Sequence, residues 1–272
     1  MEGVDAALVT YLVLLGIGSG FLAGLLGIGG GMLMVPFLTW LLGHHGVPAG
    51  AAIKMAIATS MATIAFTSLS SVRAHHKRGA VRWKLVAGLA PGIFIGGLLA
   101  GAGAFSLLKG NWLAFFFAVF VGFSALQMLF NKKPAASRQM PGTAGQIGAG
   151  TGIGFISGLL GAGGGFISVP FMTWCNVPIH AAVATSAALG FPIAVANTIG
   201  YIVGGWSLPA VLPGAFGYLY LPALVIIAIA SVATAPLGAR AAHAMNVVQL
   251  KRVFAGILIL LAGYMLYKGV TA

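Results

Sequence analysis

The 272 residues are 60% hydrophobic and only 6% charged, with a mean hydropathy of +1.05, too apolar to cover a soluble globular domain with polar surface. Fourteen Lys and Arg against two acidic residues give a net charge of +12, which in a soluble chain would point to nucleic acid. Here apolar runs of the length that crosses a bilayer, about 20 residues each, recur from end to end, so the lipid bilayer is the expected partner and nucleic acid is not.

The chain opens with Glu2 and Asp5 and no base before the first apolar run, the reverse of a cleavable leader, so the first segment is expected to be retained. The apolar segments then cover 6–26, 32–43, 49–72, 84–108 and 111–131, followed by 143–161, 166–176, 179–204, 217–239 and 251–270. The fold class expected is an all-α polytopic membrane protein of five segments plus five. Residues 1–131 form the first repeat, 132–142 a basic linker and 143–272 the second repeat. Five, three and three of the fourteen bases fall in Arg73–Lys84, Lys132–Arg138 and Arg240–Arg252. The positive-inside rule puts these loops in the cytoplasm and leaves both termini, the Gly43–Pro48 turn and the uncharged Trp206–Tyr218 loop outside.

Segments 32–43 and 166–176 are too short to cross about 30 Å of hydrocarbon at roughly 1.5 Å per residue. Each follows a triple glycine. The run GFLAGLLGIGGG (Gly20–Gly31) returns as GFISGLLGAGGG (Gly154–Gly165), VPFLTW (Val35–Trp40) returns as VPFMTW (Val169–Trp174), and Ala58-Thr59-Ser60 returns as Ala184-Thr185-Ser186. An odd number of segments per half inserts the second half upside down relative to the first, the inverted-repeat plan of many secondary transporters.

Broken backbone at membrane depth is tolerated only where protein or an aqueous cavity satisfies its polar groups. If Met32 and Phe166 open short helices, Gly29, Gly30 and Gly31, with Gly163, Gly164 and Gly165, present bare N–H groups at positive helix ends, a setting for an anion. Inverted symmetry would bring the two tips together from opposite leaflets. Hydroxyls near in sequence are Thr39, Thr59, Ser60, Thr173, Thr185 and Ser186. The Gly20/Gly24 and Gly154/Gly158 pairs read as helix packing. A nucleotide loop is excluded, since no Gly-Lys-Ser/Thr follows the glycines.

Two GxGGGxxxVPF motifs, an Ala-Thr-Ser in each half and the run Lys54–Trp83 resemble the sulfite exporter TauE/SafE family of membrane transporters over essentially the whole chain. The resemblance implies export of sulfite or a related sulfur-containing anion across a bacterial inner membrane. Lys54, about five residues into the third segment, either draws the anion or snorkels to the interface. Asn197, polar at depth, either lines the pathway or bonds another helix. Of the histidines, His44, His45, His75, His76 and His243 fall in predicted loops, where solvation is the ordinary outcome.

The missing groups narrow the chemistry further. Both acids are N-terminal, so no carboxylate is expected in the membrane to relay protons, hold sodium or serve hydrolysis. Cys175 is the single cysteine, which leaves no cysteine-based metal cluster. Neither a cofactor nor enzymatic activity is expected. The function expected is a secondary transporter working by alternating access, with a small anion held near the midplane at two helix N-termini; that the anion contains sulfur is what the resemblance implies. The alternatives are a transporter of organosulfonates or other organic anions, and a membrane assembly subunit that carries nothing.

Overall fold

The computed structural model describes residues 6–27, 30–130, 138–244 and 247–271, with backbone alone between 242 and 251. These residues form ten helices: α1 (Ala6–Leu26), α2 (Gly31–His44), α3 (Ala49–His76), α4 (Trp83–Leu98), α5 (Gly110–Leu129), α6 (Thr143–Leu160), α7 (Gly165–Trp174), α8 (Ile179–Gly205), α9 (Leu221–Ala244) and α10 (Val247–Thr271). α4 runs on through a π-helical turn, Leu99–Ala104, and a last turn, Phe105–Leu107. Seven of them, all but α2, α6 and α7, are long and apolar enough to cross a membrane. The chain is a multi-pass membrane protein.

At about 1.5 Å per residue, the 14 residues of α2 and the 10 of α7 rise roughly 21 Å and 15 Å, short of the hydrocarbon thickness. Large apolar side chains stand exposed along the long helices: Leu107 is 86% exposed and Leu260 76%. Such a surface is stable only against lipid.

α3 and α8 form the centre, packed on each other and more buried than the other spanning helices. α1 lies along α9, α6 along α4, and α5 along α10, while α3 also touches α9 and α8 also touches α4. Glycines allow the closest crossings. A Cβ on Gly24 would stand 1.9 Å from the Ala235 carbonyl on α9, and one on Gly154 2.3 Å from the Ile93 carbonyl on α4. The Gly-x-x-x-Gly pairs therefore act as packing surfaces, as their spacing indicates.

The structure differs from the sequence expectation at several places, the histidines among them: His44, His76 and His243, expected in loops, fall within α2, α3 and α9 because these helices run on past the apolar segments. Arg73 and Arg240 stand within α3 and α9 rather than in loops, because backbone hydrogen bonds continue past the hydrocarbon edge while long basic side chains reach outward. The Trp206–Tyr218 loop leads into a two-residue hairpin, Ala215–Phe216 against Leu219–Tyr220, whose second strand is buried. His75 is only 2% exposed, on the inner face of α3, and its Nε2 lies 3.1 Å from the Gly24 carbonyl.

Candidate functional site

The two glycine breaks have the same local geometry. α1 ends at Gly27 (φ 67°) and α6 at Gly161 (φ 65°); α2 and α7 then start from Gly30 and Gly164, both at φ 73° with ψ −8° and −4°. Left-handed backbone of this kind is routine only for glycine. The first N–H groups of an α-helix have no intrahelical acceptor, and neither short helix supplies a side-chain cap in its place. The third N–H of each is taken, that of Leu33 by the Gly30 carbonyl and that of Ile167 by the Gly164 carbonyl. One donor is turned inward: the Gly164 N–H donates to the Ala162 carbonyl at 2.8 Å. Gly29 lies outside the described residues.

The breaks meet. A Cβ on Gly31 would stand 2.2 Å from the Gly161 carbonyl oxygen and 2.8 Å from Ala162 Cα, so the start of α2 rests against the end of α6. Gly165, which opens α7, is buried.

Each Ala-Thr-Ser motif brackets the other half of the chain. Ser60 on α3 donates to the Gly161 carbonyl at 3.0 Å, and Ser186 on α8 donates to the Gly27 carbonyl at 3.0 Å. Thr59 accepts the Tyr220 N–H at 2.9 Å just before α9, and Thr185 accepts the Arg82 N–H at 3.0 Å just before α4. All four hydroxyl residues are fully buried. The serines thus satisfy carbonyls freed at the breaks, and the threonines pin the two segments that lead into α4 and α9. Thr39 and Thr173, by contrast, bond carbonyls within their own short helices.

A small cavity adjoins the breaks, lined among others by Ala23, Gly27, Ser68, Ser71, Gly163 and Ser186. Its volume is about 10 Å3, room for a single water molecule. Ser71 Oγ is buried with no hydrogen-bond partner among the described residues, as is Ser157 Oγ near Gly164. Ser168 donates to Ser186 at 2.9 Å. Sequence reasoning singled out none of these three serines. Ser157 and Ser168 carry the available signal, as the polar residues inside GFISGLLG and inside the second GxGGGxxxVPF.

Lys54 and Asn197 stand apart from the breaks. Lys54 Nζ donates to the Ser106 carbonyl at 3.0 Å, at the end of α4, and lies 5.7 Å and 5.3 Å from the ring centres of Phe105 and Tyr218. A cation there complements a helix C-terminus and two aromatic faces. Lys54→Met is expected to lower stability by about 1–2 kcal/mol and to leave the salt dependence of transport unchanged. Loss of that salt dependence at unchanged melting temperature would give Lys54 a substrate-attracting role instead. Asn197 Nδ2 donates to Ile193 within α8 at 2.8 Å and to Gly154 on α6 at 3.3 Å, while its Oδ1 has no partner among the described residues.

Among the described residues no group of three His, Cys, Asp or Glu could hold a metal ion. Against known proteins, the family model described as "Sulfite exporter TauE/SafE" matches residues 12–265. A probable membrane transporter protein of Haemophilus influenzae is 37% identical over 266 residues, 96% of this chain and 98% of that protein. A probable membrane transporter protein of Methanocaldococcus jannaschii is 28% identical, covering 95% of this chain and 96% of its own length. One of Bacillus subtilis is 30% identical over 75% of this chain and 84% of its own. No solved structure matches the chain significantly. The chain belongs to the sulfite exporter TauE/SafE family, and it is a membrane transporter rather than an enzyme.

Proposed function

We propose that this member of the TauE/SafE family is a secondary transporter that exports a small oxidised-sulfur anion, sulfite being the leading cargo, through the point where the two glycine breaks meet. One observation carries the reading. Two uncapped short helices start from glycines of the same conformation, and each break is held by a serine from the opposite half of the chain. Positive helix ends without a capping side chain favour an anion, and hydroxyl neighbours add no charge that must be desolvated.

The halves 1–131 and 143–272 are read as inverted repeats. Exchanging each helix of the first half with its counterpart five places later turns the α1–α9 packing into α6–α4 and the α3–α9 packing into α8–α4; both pairs are present. The Ser60/Ser186 and Thr59/Thr185 hydrogen bonds exchange in the same way. Among the described residues the cavity beside the breaks, about 10 Å3, is too small for the anion, so on this reading loading requires the tips to part. Alternating access follows if one threonine bracket opens at a time: Thr59–Tyr220 toward the outer side, Thr185–Arg82 toward the cytoplasm.

That sidedness rests on the basic residues and on placement in a bacterial inner membrane. In a Cys175→Ser background, a cysteine at position 136 is expected to resist an impermeant thiol reagent in intact cells; labelling there would reverse the orientation. For the cargo, purified protein in proteoliposomes should be tested for counterflow of sulfite, thiosulfate, sulfate and sulfoacetate. Saturable sulfite exchange is the expected result. Exchange of sulfoacetate alone would make the cargo an organosulfonate, and no exchange of any of the four by folded protein would overturn the reading.

A further inference from the structure

A second feature lies on the outside of the helix bundle. At the basic end of α3 and α9, a cleft of about 320 Å3 is lined by Ser70, Arg73, Lys77, Arg78, Pro236 and Arg240. Among the described residues there is no Asp or Glu, so four cations share one cleft with no carboxylate between them. Like charges so placed repel unless an anion joins them.

The cleft is also built. Ser70 Oγ on α3 donates to the Val232 carbonyl at 2.8 Å, and Arg78 Nη1, two residues past the end of α3, donates to the Ala239 carbonyl at 2.7 Å, so both sides of the cleft are tied to α9. Helical spacing continues the same faces away from the charged end. Phe66 and Leu69 precede Arg73 on α3, and Ile229 and Val232 precede Pro236 and Arg240 on α9; these four apolar side chains are 37–68% exposed. A cationic cleft at a helix end, continuous with an apolar groove, fits a ligand with a phosphate at one end and hydrocarbon at the other.

We infer that this cleft binds the headgroup of an anionic glycerophospholipid, with its acyl chains lying along the α3–α9 groove. A free oxyanion would have no use for the groove. The inference rests on where the helices lie in the bilayer and not on what the chain carries. Basic pockets between membrane helices recognise lipid phosphates in this way, each cation near the surface strengthening binding about fivefold.

The test is the melting temperature of the full-length protein in detergent, titrated with phosphatidylglycerol, phosphatidylcholine, inorganic phosphate or glycerol 3-phosphate. Phosphatidylglycerol alone should raise it, saturably. In Arg73→Gln/Arg240→Gln its apparent affinity should fall more than tenfold, whereas Lys84→Gln, which removes a charge at the same end outside the cleft, should keep wild-type affinity. If the double variant does not fold, Lys77→Gln decides, with a drop of about fivefold expected. An equal shift from inorganic phosphate or glycerol 3-phosphate, an equal shift from phosphatidylcholine, or unchanged affinity in the cleft variants would each overturn the inference.

Discussion

Gly30→Val and Gly164→Val are expected to reduce anion flux to that of protein-free vesicles, and the corresponding alanines to separate the two breaks. Both positions sit at φ 73°, where an L side chain costs about 1–2 kcal/mol before any contact is considered. The contacts differ. At Gly30 an added Cβ would stand 2.6 Å from the Ser19 carbonyl oxygen, so the backbone of α1 must move. At Gly164 the nearest atoms are Ile193 Cδ1 at 2.5 Å and Ser157 Oγ at 2.9 Å, side-chain ends that can swing aside. Gly164→Ala should therefore fold, with a loss of stability near the cost of the backbone strain alone, while Gly30→Ala should be the more damaging. Valine adds a branched side chain at the same strained backbone, and the start of the short helix cannot keep its place. Wild-type flux in a folded Gly164→Val would show that the break tolerates displacement and is not where the anion passes.

Thr59→Val and Thr185→Val are expected to bias the transporter toward opposite sides of the membrane. Thr59 is the acceptor for the Tyr220 N–H, and Thr185 for the Arg82 N–H. A buried donor left without its acceptor costs about 1–3 kcal/mol, enough to shift a two-state equilibrium roughly five- to a hundredfold or more. The effect should be larger at Thr59, because Tyr220 is buried whereas Arg82 is exposed. Ser71→Cys in the Cys175→Ser background places a reporter in the cavity beside the breaks. Its labelling should rise from the outer side in Thr59→Val and from the cytoplasmic side in Thr185→Val, with flux falling about tenfold or more in Thr59→Val and by less in Thr185→Val. The same change in labelling for both variants would mean that the two hydrogen bonds are packing contacts and not gates.

Much of the architecture was legible because it rests on length and hydropathy. The ten segments, and the shortness of α2 and α7, follow from counting apolar residues against the thickness of a bilayer. The breaks announced themselves as repeated triple glycines, and the left-handed backbone at Gly30 and Gly164 is the physical reason glycine is needed there. What each hydroxyl would meet was not legible. Ser60 and Ser186 bond carbonyls 101 and 159 residues away, in the opposite half. No local pattern encodes that packing. Lys54 reads as a lone charge in an apolar segment until the end of α4 and the loop carrying Tyr218 close over it. His75 lies in a basic, polar stretch that reads as a loop; α3 runs on to His76 and turns His75 inward against α1. The short hairpin Ala215–Tyr220 is too brief for any alternation of polar and apolar residues to reveal it.

The most direct test is whether a sulfur oxyanion binds where the breaks meet. Sulfite-induced thermal stabilisation should be measured on the purified protein and on Gly164→Ala and Ser71→Ala, both of which are expected to stay folded. Stabilisation grows with the logarithm of ligand over Kd, so wild type should show a rise in Tm that increases with sulfite concentration. Gly164→Ala should lose most of this rise, because its strained backbone re-aims the first N–H groups of α7. Ser71→Ala should lose part of it, because the unpartnered hydroxyl beside the breaks is removed. An undiminished sulfite-dependent rise in both folded variants would place the anion elsewhere in the protein and leave the paired glycines as packing residues alone.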